Sequence, residues 1–308
     1  MELLYFLESI RNPVLDVIMQ AITNLGSEII FLILGMLMFW CVDKRQGYFI
    51  LLAGFAGTYI NQFLKITCRI PRPWVRDPSF TIVESARAGA TGYSFPSGHT
   101  QIAVGTFGGL ALCRKETWLR VVCLVLAVPV PFSRMYLGVH TPADVGAAAL
   151  CALCLILLLW PLFQKHGTAP RLMLPVCGVI TVLGLSFLLF CTLYPFPADT
   201  DPVNLAEAVK NAYSLLGALL GLWVIWVLDE RLIHFDTKAP LLGQAVKLLA
   251  GFVLLLFIME GTKPLFHLIF SGHPVAHTFR YFLTVLFAGG VWPLTFRWFA
   301  RFPGKRKH

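Results

Sequence analysis

The chain has 308 residues, 57% of them hydrophobic and only 13% charged. A soluble domain carries about 25% charged residues, so the composition excludes an ordinary cytosolic enzyme and a disordered chain. The formal net charge of +9 would point a soluble protein toward nucleic acid, but here the basic residues lie mostly between apolar segments, and no nucleic-acid partner is expected.

Residues 1–26 come first. Leu3, Leu4, Phe6, Leu7 and Ile10 are interleaved with Glu2, Glu8 and Arg11, and Val14, Val17, Ile18 and Ile22 continue at helical spacing beyond Pro13. This predicts an amphipathic helix lying at the membrane interface. It lacks the basic start and small-residue cleavage site of a signal peptide. Nine uncharged stretches follow, at 29–42, 46–64, 97–113, 121–132, 145–164, 172–198, 211–228, 239–259 (interrupted by Lys247) and 281–296. A membrane helix takes roughly 20 residues, so the first, fourth and ninth need flanking polar residues to span. The predicted fold is all-α: a polytopic membrane bundle of about nine spans. Its expected parts are the interfacial segment 1–26, a core at 27–165, and further spans with a basic tail at 166–308.

Basic residues orient such a bundle, because cytoplasmic loops carry the excess of Lys and Arg. One side receives Lys44, Arg45, Arg114, Lys115, Arg120, Lys165, Arg171, Arg231, Lys238 and the tail Arg297, Arg301, Lys305, Arg306 and Lys307. This side is expected to be cytoplasmic, with the C-terminus there and the N-terminus outside. Two outward connections break the bias, 65–96 and 133–144. They require a separate explanation. The absence of Asn-x-Ser/Thr sequons and the compact loops fit a bacterial inner membrane. Of the eight cysteines, all but Cys68 lie in or at the ends of apolar spans and read as small packing residues. Cys151 and Cys154 have redox spacing but sit in a run of Ala and Leu.

The two exceptional connections and the start of span three carry the chemistry. They read Lys65-Ile-Thr-Cys-Arg-Ile-Pro-Arg72-Pro73, Pro96-Ser97-Gly98-His99, and Ser133-Arg134-Met-Tyr-Leu-Gly-Val-His140-Thr-Pro-Ala-Asp144. All three fall at the outer ends of neighbouring spans. Cations at a membrane edge are costly unless they meet water, a partner or a ligand. Lys65, Arg72 and Arg134 would repel one another unless an anion sat among them. Arginine forks match phosphate oxygens, and lysine acts as a point charge. Ser97 and Gly98 open a helix whose free N–H groups suit an anion. Gly98 permits close approach and the Ser97 hydroxyl adds a donor. His140 and Asp144, four apart, would share a helix face if span five begins there. A carboxylate on one ring nitrogen leaves the other as nucleophile or base. His99, beside the cradle, can protonate a leaving oxygen and then activate water. The set fits phosphoryl transfer through a phosphohistidine, with protein cations on the phosphate oxygens.

At these residues the chain resembles the type-2 phosphatidic acid phosphatase family, whose signature is Lys-x6-Arg-Pro, Pro-Ser-Gly-His and Ser-Arg-x5-His-x3-Asp. All three parts match without departure, and the resemblance covers about residues 40–165. It implies hydrolysis of phosphate esters or anhydrides without a metal or other cofactor. It also implies His140 as nucleophile, Asp144 as its partner and His99 as the leaving-group acid. Lys65, Arg72, Ser97, Gly98 and Arg134 would bind phosphate.

Outside the motifs, the long 65–96 connection reads as a lid or binding loop. Trp74 would sit at the interface, and Arg76 and Arg87 would meet a second phosphate or pair with Asp77 and Glu84. Ser271-Gly272-His273 echoes the second motif without the rest of the set. His267, His273 and His277 make a poor metal set. Asp199, Asp201 and Glu207 read as a solvated face. The expected substrate is a membrane lipid phosphate or pyrophosphate: undecaprenyl pyrophosphate, phosphatidic acid, lysophosphatidic acid, phosphatidylglycerol phosphate or a sphingoid-base phosphate. The expected partners are the bilayer itself and a second copy in a homodimer. Three rivals stand beside this reading: a phosphatase of a soluble ester, as in animal glucose-6-phosphatase, a lipid phosphotransferase, and a transporter with a relic site.

Overall fold

The structure, a computed structural model, describes residues 1–303, and the tail cations Lys305, Arg306 and Lys307 lie outside the described residues. Among the described residues every regular element is helical. Seven helices are long and apolar enough to cross a membrane: 44–76, Thr117–Tyr136, Pro142–His166, Pro170–Leu193, 202–233, Leu241–Ile269 and 275–299. A bent pair, Pro13–Asn24 with Glu28–Val42, meets the same test as one unit broken by 44°. The chain is an integral membrane protein. Each of the nine expected stretches lies mainly on helix, although 172–198 runs past the helix end at Leu193 and 239–259 starts before the helix that begins at Leu241, and nine is only approximate as a count of spans. The helix Gly98–Cys113 has 16 residues, short for a full crossing.

The expected interfacial helix is two helices, α1 (Glu2–Ser9) and α2 (Pro13–Asn24). The break has a local cause. The Asn12 side chain accepts from the Leu15 N–H and Pro13 occupies the first turn, so the sequence restarts a helix there. Then come α3 (Glu28–Leu37), extended by a π-helical turn at Met38–Val42, α4 (Lys44–Cys68) and the short α5 (Pro73–Arg76). α6 (Gly98–Cys113), α7 (Thr117–Ala127), α8 (Pro129–Tyr136) and α9 (Pro142–His166) complete the motif-bearing stretch. Beyond it lie α10 (Pro170–Leu193), α11 (Pro202–Leu228), α12 (Leu241–Ile269), α13 (Val275–Leu286) and α14 (Phe296–Phe299).

The chain divides into two compact units. The first comprises residues 1–34, 49–167 and 194–208. Its centre is the packing of α6 on α9. A Cβ on Gly108 would lie 2.8 Å from Ile156 Cδ1, so a small residue is needed for this approach, as is usual between helices in lipid. The second unit comprises residues 35–48, 168–193 and 209 onward. There the Trp40 indole donates to the Ala288 carbonyl at 2.8 Å. Lys44 Nζ lies 2.6 Å from Asp229 Oδ2 and 4.5 Å from the centre of the Phe235 ring. Lys247, fully buried, donates to the Thr237 carbonyl at 2.9 Å and sits over Phe296.

Candidate active site

The motif residues all belong to the first unit, and local sequence explains how each is aimed. Lys65 lies in the last turn of α4, where its Nζ donates to the Tyr93 carbonyl at 2.5 Å. Arg72 precedes Pro73, which forces extended backbone before the short α5. Its guanidinium then reaches inward and is buried. Nε donates to the Gly92 carbonyl at 3.1 Å, Nη2 to Thr91 at 2.7 Å and Nη1 to Val139 at 2.9 Å. Nη1 also lies 2.9 Å from His140 Nε2. One side chain thus joins the chain just before the second motif to the histidine of the third. Guanidinium offers only donors, so His140 Nε2 is the acceptor and its proton resides on Nδ1.

The second motif caps a helix. Ser97 is the N-cap of α6, its hydroxyl accepting from the Thr100 N–H at 3.4 Å. The hydroxyl proton stays available to a ligand. Gly98 and His99 supply the first-turn N–H groups, which lack intrahelical partners. A Cβ at Gly98 would come within 3.9 Å of Asn61 Oδ1. His99 is half-buried in this first turn, with Gly89 near its ring.

The third motif corrects the expected geometry. α9 begins at Pro142, not at His140. Thr141 is its N-cap and Asp144 its third residue, and the two form a reciprocal capping box. His140 therefore precedes the helix, and no shared helix face brings it to Asp144. Its Nδ1 is 3.5 Å from Asp144 Oδ2, an electrostatic contact too long for a hydrogen bond. The same Oδ2 accepts from the Thr141 N–H at 2.7 Å and from the Ser94 hydroxyl at 2.6 Å. Asp144 is held by the cap and Ser94 first, and faces the histidine second. His140 is 1% exposed. It lies between the spans ending at Tyr136 and starting at Pro142. Burial, then Arg72, Arg134 and Lys65 in that order, hold its pKa well below the ordinary histidine value. Its neutral form is the resting form.

Arg134, on α8, is 1% exposed. Nη1 donates to the Thr23 hydroxyl at 3.0 Å, while Nε and Nη2 have no protein partner. Ser133, beside it in the motif, donates its hydroxyl to the Val130 carbonyl and acts within its own helix. The structure thus brings together Lys65, Arg72, Ser97, Gly98, Arg134, His140 and Asp144 from three separated stretches. Arg87 pairs with Glu84 through two 2.8 Å bonds and lies over Trp74, which also faces Arg72. Asp77 bonds Tyr5 and Ser79 rather than an arginine. Asp201 caps α11 through the Val203 and Asn204 N–H groups, and its own N–H donates to the Tyr93 hydroxyl. In the second unit, His273 Nδ1 accepts from the Val275 N–H and its ring packs on Tyr213.

Known proteins resemble the chain over most of its length. Residues 46–168 match the PAP2 superfamily, and residues 213–303 match the "PAP2 superfamily phosphatase, transmembrane extension". The chain belongs to the PAP2 superfamily. A dihydrosphingosine 1-phosphate phosphatase of Schizosaccharomyces pombe is 27% identical over 273 residues, covering 82% of this chain and 64% of that protein. Sphingosine-1-phosphate phosphatase 2 of Homo sapiens is 24% identical over 225 residues, 70% of this chain and 53% of that protein. Phosphatidylglycerophosphatase B of Bacillus subtilis is 32% identical over 149 residues, 44% of this chain and 69% of that protein. The chain spans less than two thirds of the length of these sphingoid-phosphate phosphatases. No solved structure gives a significant match.

Two groups beside these residues escape the sequence reading. Ser94 carries no motif signal of its own, yet it is fully buried on Asp144. The signal for Thr141 is a Thr three residues before an acidic residue with Pro between them, a helix-start pattern.

Proposed function

We propose that this PAP2 protein is a membrane lipid phosphatase acting through a phosphohistidine at the extracytoplasmic boundary. One observation carries the reading. Lys65, Arg72 and Arg134 are buried around His140, with Asp144 as the carboxylate of the set. Three buried cations against one anion call for a further anion. A phosphate group supplies the charge and the acceptor oxygens. On its arrival Arg72 exchanges its contact with His140 Nε2 for phosphate oxygens. Nε2 then attacks phosphorus as the bond to the leaving oxygen breaks, and His99, which takes up a proton as the charge of the arriving phosphate offsets the cations around it, gives that proton to the leaving oxygen. The proton on Nδ1 stays beside Asp144, which stabilises the imidazolium-like adduct. Water, deprotonated by His99, attacks the phosphohistidine and releases phosphate with His140 restored. Lys65, Arg134, Ser97 and the first-turn N–H groups of α6 hold the oxygens throughout.

The substrate is an amphiphilic phosphate reached from the bilayer. Relatives that also cover the helices after residue 168 are named for sphingoid-base phosphates, whereas the phosphatidylglycerophosphatase match covers 44% of the chain. A sphingoid-base 1-phosphate is therefore the first substrate to assay, with N-terminus outside and C-terminus inside as the working topology. Phosphate release by purified protein, with sphingoid, glycerolipid, prenyl and sugar phosphates side by side, tests it. Turnover of the lipid phosphates should persist in EDTA, be blocked by orthovanadate and vanish in His140→Ala. A folded His140→Ala protein with full turnover would remove the phosphohistidine, and turnover of sugar phosphates alone would remove the lipid.

A further inference from the structure

The two phosphate-site arginines are held very differently. Arg72 is bound by three backbone carbonyls. Arg134 has one protein acceptor, the Thr23 hydroxyl at 3.0 Å, and leaves Nε and Nη2 without partners. An arginine side chain has four rotatable bonds to fix, so without an anchor its fork is poorly aimed. Thr23 is on α2, outside the 46–168 stretch that matches the superfamily. It is the buried residue of a helix whose other side chains are exposed or half-buried, and it is 1% exposed.

The surroundings of Thr23 are built to hold it in place. The Gly26 N–H donates to the Thr23 carbonyl at 3.0 Å. A Cβ on Gly26 would lie 2.5 Å from the His99 carbonyl oxygen and 2.9 Å from Val130. The turn after α2 is therefore pressed against the backbone of His99 on α6 and against α8, which carries Arg134. At the other end of α2, the Tyr136 hydroxyl donates to Asp16 at 2.9 Å. Arg11, between α1 and α2, donates to the Tyr136 and Thr81 carbonyls at 2.9 and 2.8 Å. Its Nη2 occupies the space a Cβ would need at Gly138, where φ is +83°. The N-terminal helices thus grip α8 at both ends.

We propose that Thr23 is a positioning residue of the phosphate site, its hydroxyl aiming the Arg134 fork at the phosphate oxygens. The helix read from sequence as an interfacial anchor is thereby part of the catalytic body. The inference rests on the phosphatase reading above. Its test is Thr23→Val, which keeps the shape and removes the acceptor, beside Thr23→Ser, which keeps the acceptor. Hydrogen bonds to charged groups are the stronger class, so Thr23→Val should lower kcat/KM by roughly tenfold and raise the orthovanadate inhibition constant by a similar factor. Thr23→Ser should recover most of both losses. Combined with Arg134→Lys, which lacks the fork, Thr23→Val should add little further loss. Should Thr23→Val fail to fold, Thr23→Ala against Thr23→Ser gives the same contrast. Unchanged vanadate inhibition in a folded Thr23→Val or Thr23→Ala protein, or a full additive loss on Arg134→Lys, overturns the proposal. His140→Ala separates the two levels: if it stays active, the phosphatase mechanism fails, whereas an inactive His140→Ala beside an unaffected Thr23→Val removes Thr23 alone.

Discussion

The two units treat buried charge in opposite ways. In the second unit, Lys44 meets Asp229 at 2.6 Å and Phe235, and Lys247 meets a carbonyl and an aromatic face. Arg280 lies over Tyr281 at 5.1 Å, although its Nε has no protein partner. In the first unit, Lys65, Arg72 and Arg134 converge on a histidine with Asp144 as the carboxylate. A paired buried charge can be purely structural. A converging set of like charges is electrostatically incomplete, and under the proposed function the missing charge is the ligand's. The surplus, rather than burial or polarity, separates a site from a scaffold here.

Substituting one lysine in each unit gives the sharpest contrast. Lys65→Met should cost about 10²–10³ in kcat, the scale of losing one preorganised donor at developing charge. Lys247→Met should leave phosphate release per folded molecule within about twofold, because Lys247 belongs to the second unit, where it bonds the Thr237 carbonyl and lies over Phe296. Comparable losses in both would dissolve the distinction. Asp229→Asn comes next. It leaves Lys44 without its counter-charge, and Lys44 is itself 28% exposed. Water therefore offsets part of the loss, and a destabilisation of about 1–3 kcal/mol is expected, below the full range for a broken buried pair. Thermal unfolding in detergent would register it, while turnover per folded molecule stays near that of the unmodified protein.

Ser94→Ala tests the first unit at smaller amplitude. It removes the 2.6 Å donor from Asp144 Oδ2 but leaves the Thr141 cap. The carboxylate gains freedom to turn from His140, and kcat should fall about tenfold with little change in KM, as for a group that acts mainly in the transition state. A change confined to KM would instead place Ser94 in substrate binding.

How much of this was legible in sequence follows from what each feature depends on. The three motifs were readable because each is contiguous, and because the bundle places the ends of neighbouring spans together. Helix α6 was readable from Pro96-Ser97-Gly98. The shared helix face of His140 and Asp144 stays conditional in sequence, because a His-x3-Asp spacing looks the same inside a helix or across its cap. Pro142 after Thr141 was the signal that decides it. Thr23 and Ser94 were not legible, since their partners lie 111 and 50 residues away and no local pattern marks either one. The N-terminal apolar stripe was read correctly as helical. Its second role depends on Leu4 packing with Phe80 and Ile82, and on Arg11 reaching Tyr136 and Thr81, all contacts across long separations.

The smallest effect concerns pH, and it measures the charge surplus directly. In the proposed mechanism His140 is reactive when neutral, because only then does Nε2 carry a lone pair. Burial first, then Arg72, Arg134 and Lys65, push its pKa below the ordinary histidine value, which is about 6.5. A lowered pKa keeps the histidine neutral as pH falls through that value, so the acid limb of kcat/KM set by His140 lies on the acidic side of it. Removing a neighbouring cation relieves part of the shift, so the limb of Lys65→Met should move toward higher pH. The substrate phosphate titrates near pH 6 itself. Using the same substrate for both proteins makes that contribution common to both, and the displacement between the curves belongs to the enzyme. A limb that stays fixed, or moves toward acid, would mean that the cations around His140 do not act on it as a surplus charge, and the comparison between the two units would lose its physical basis.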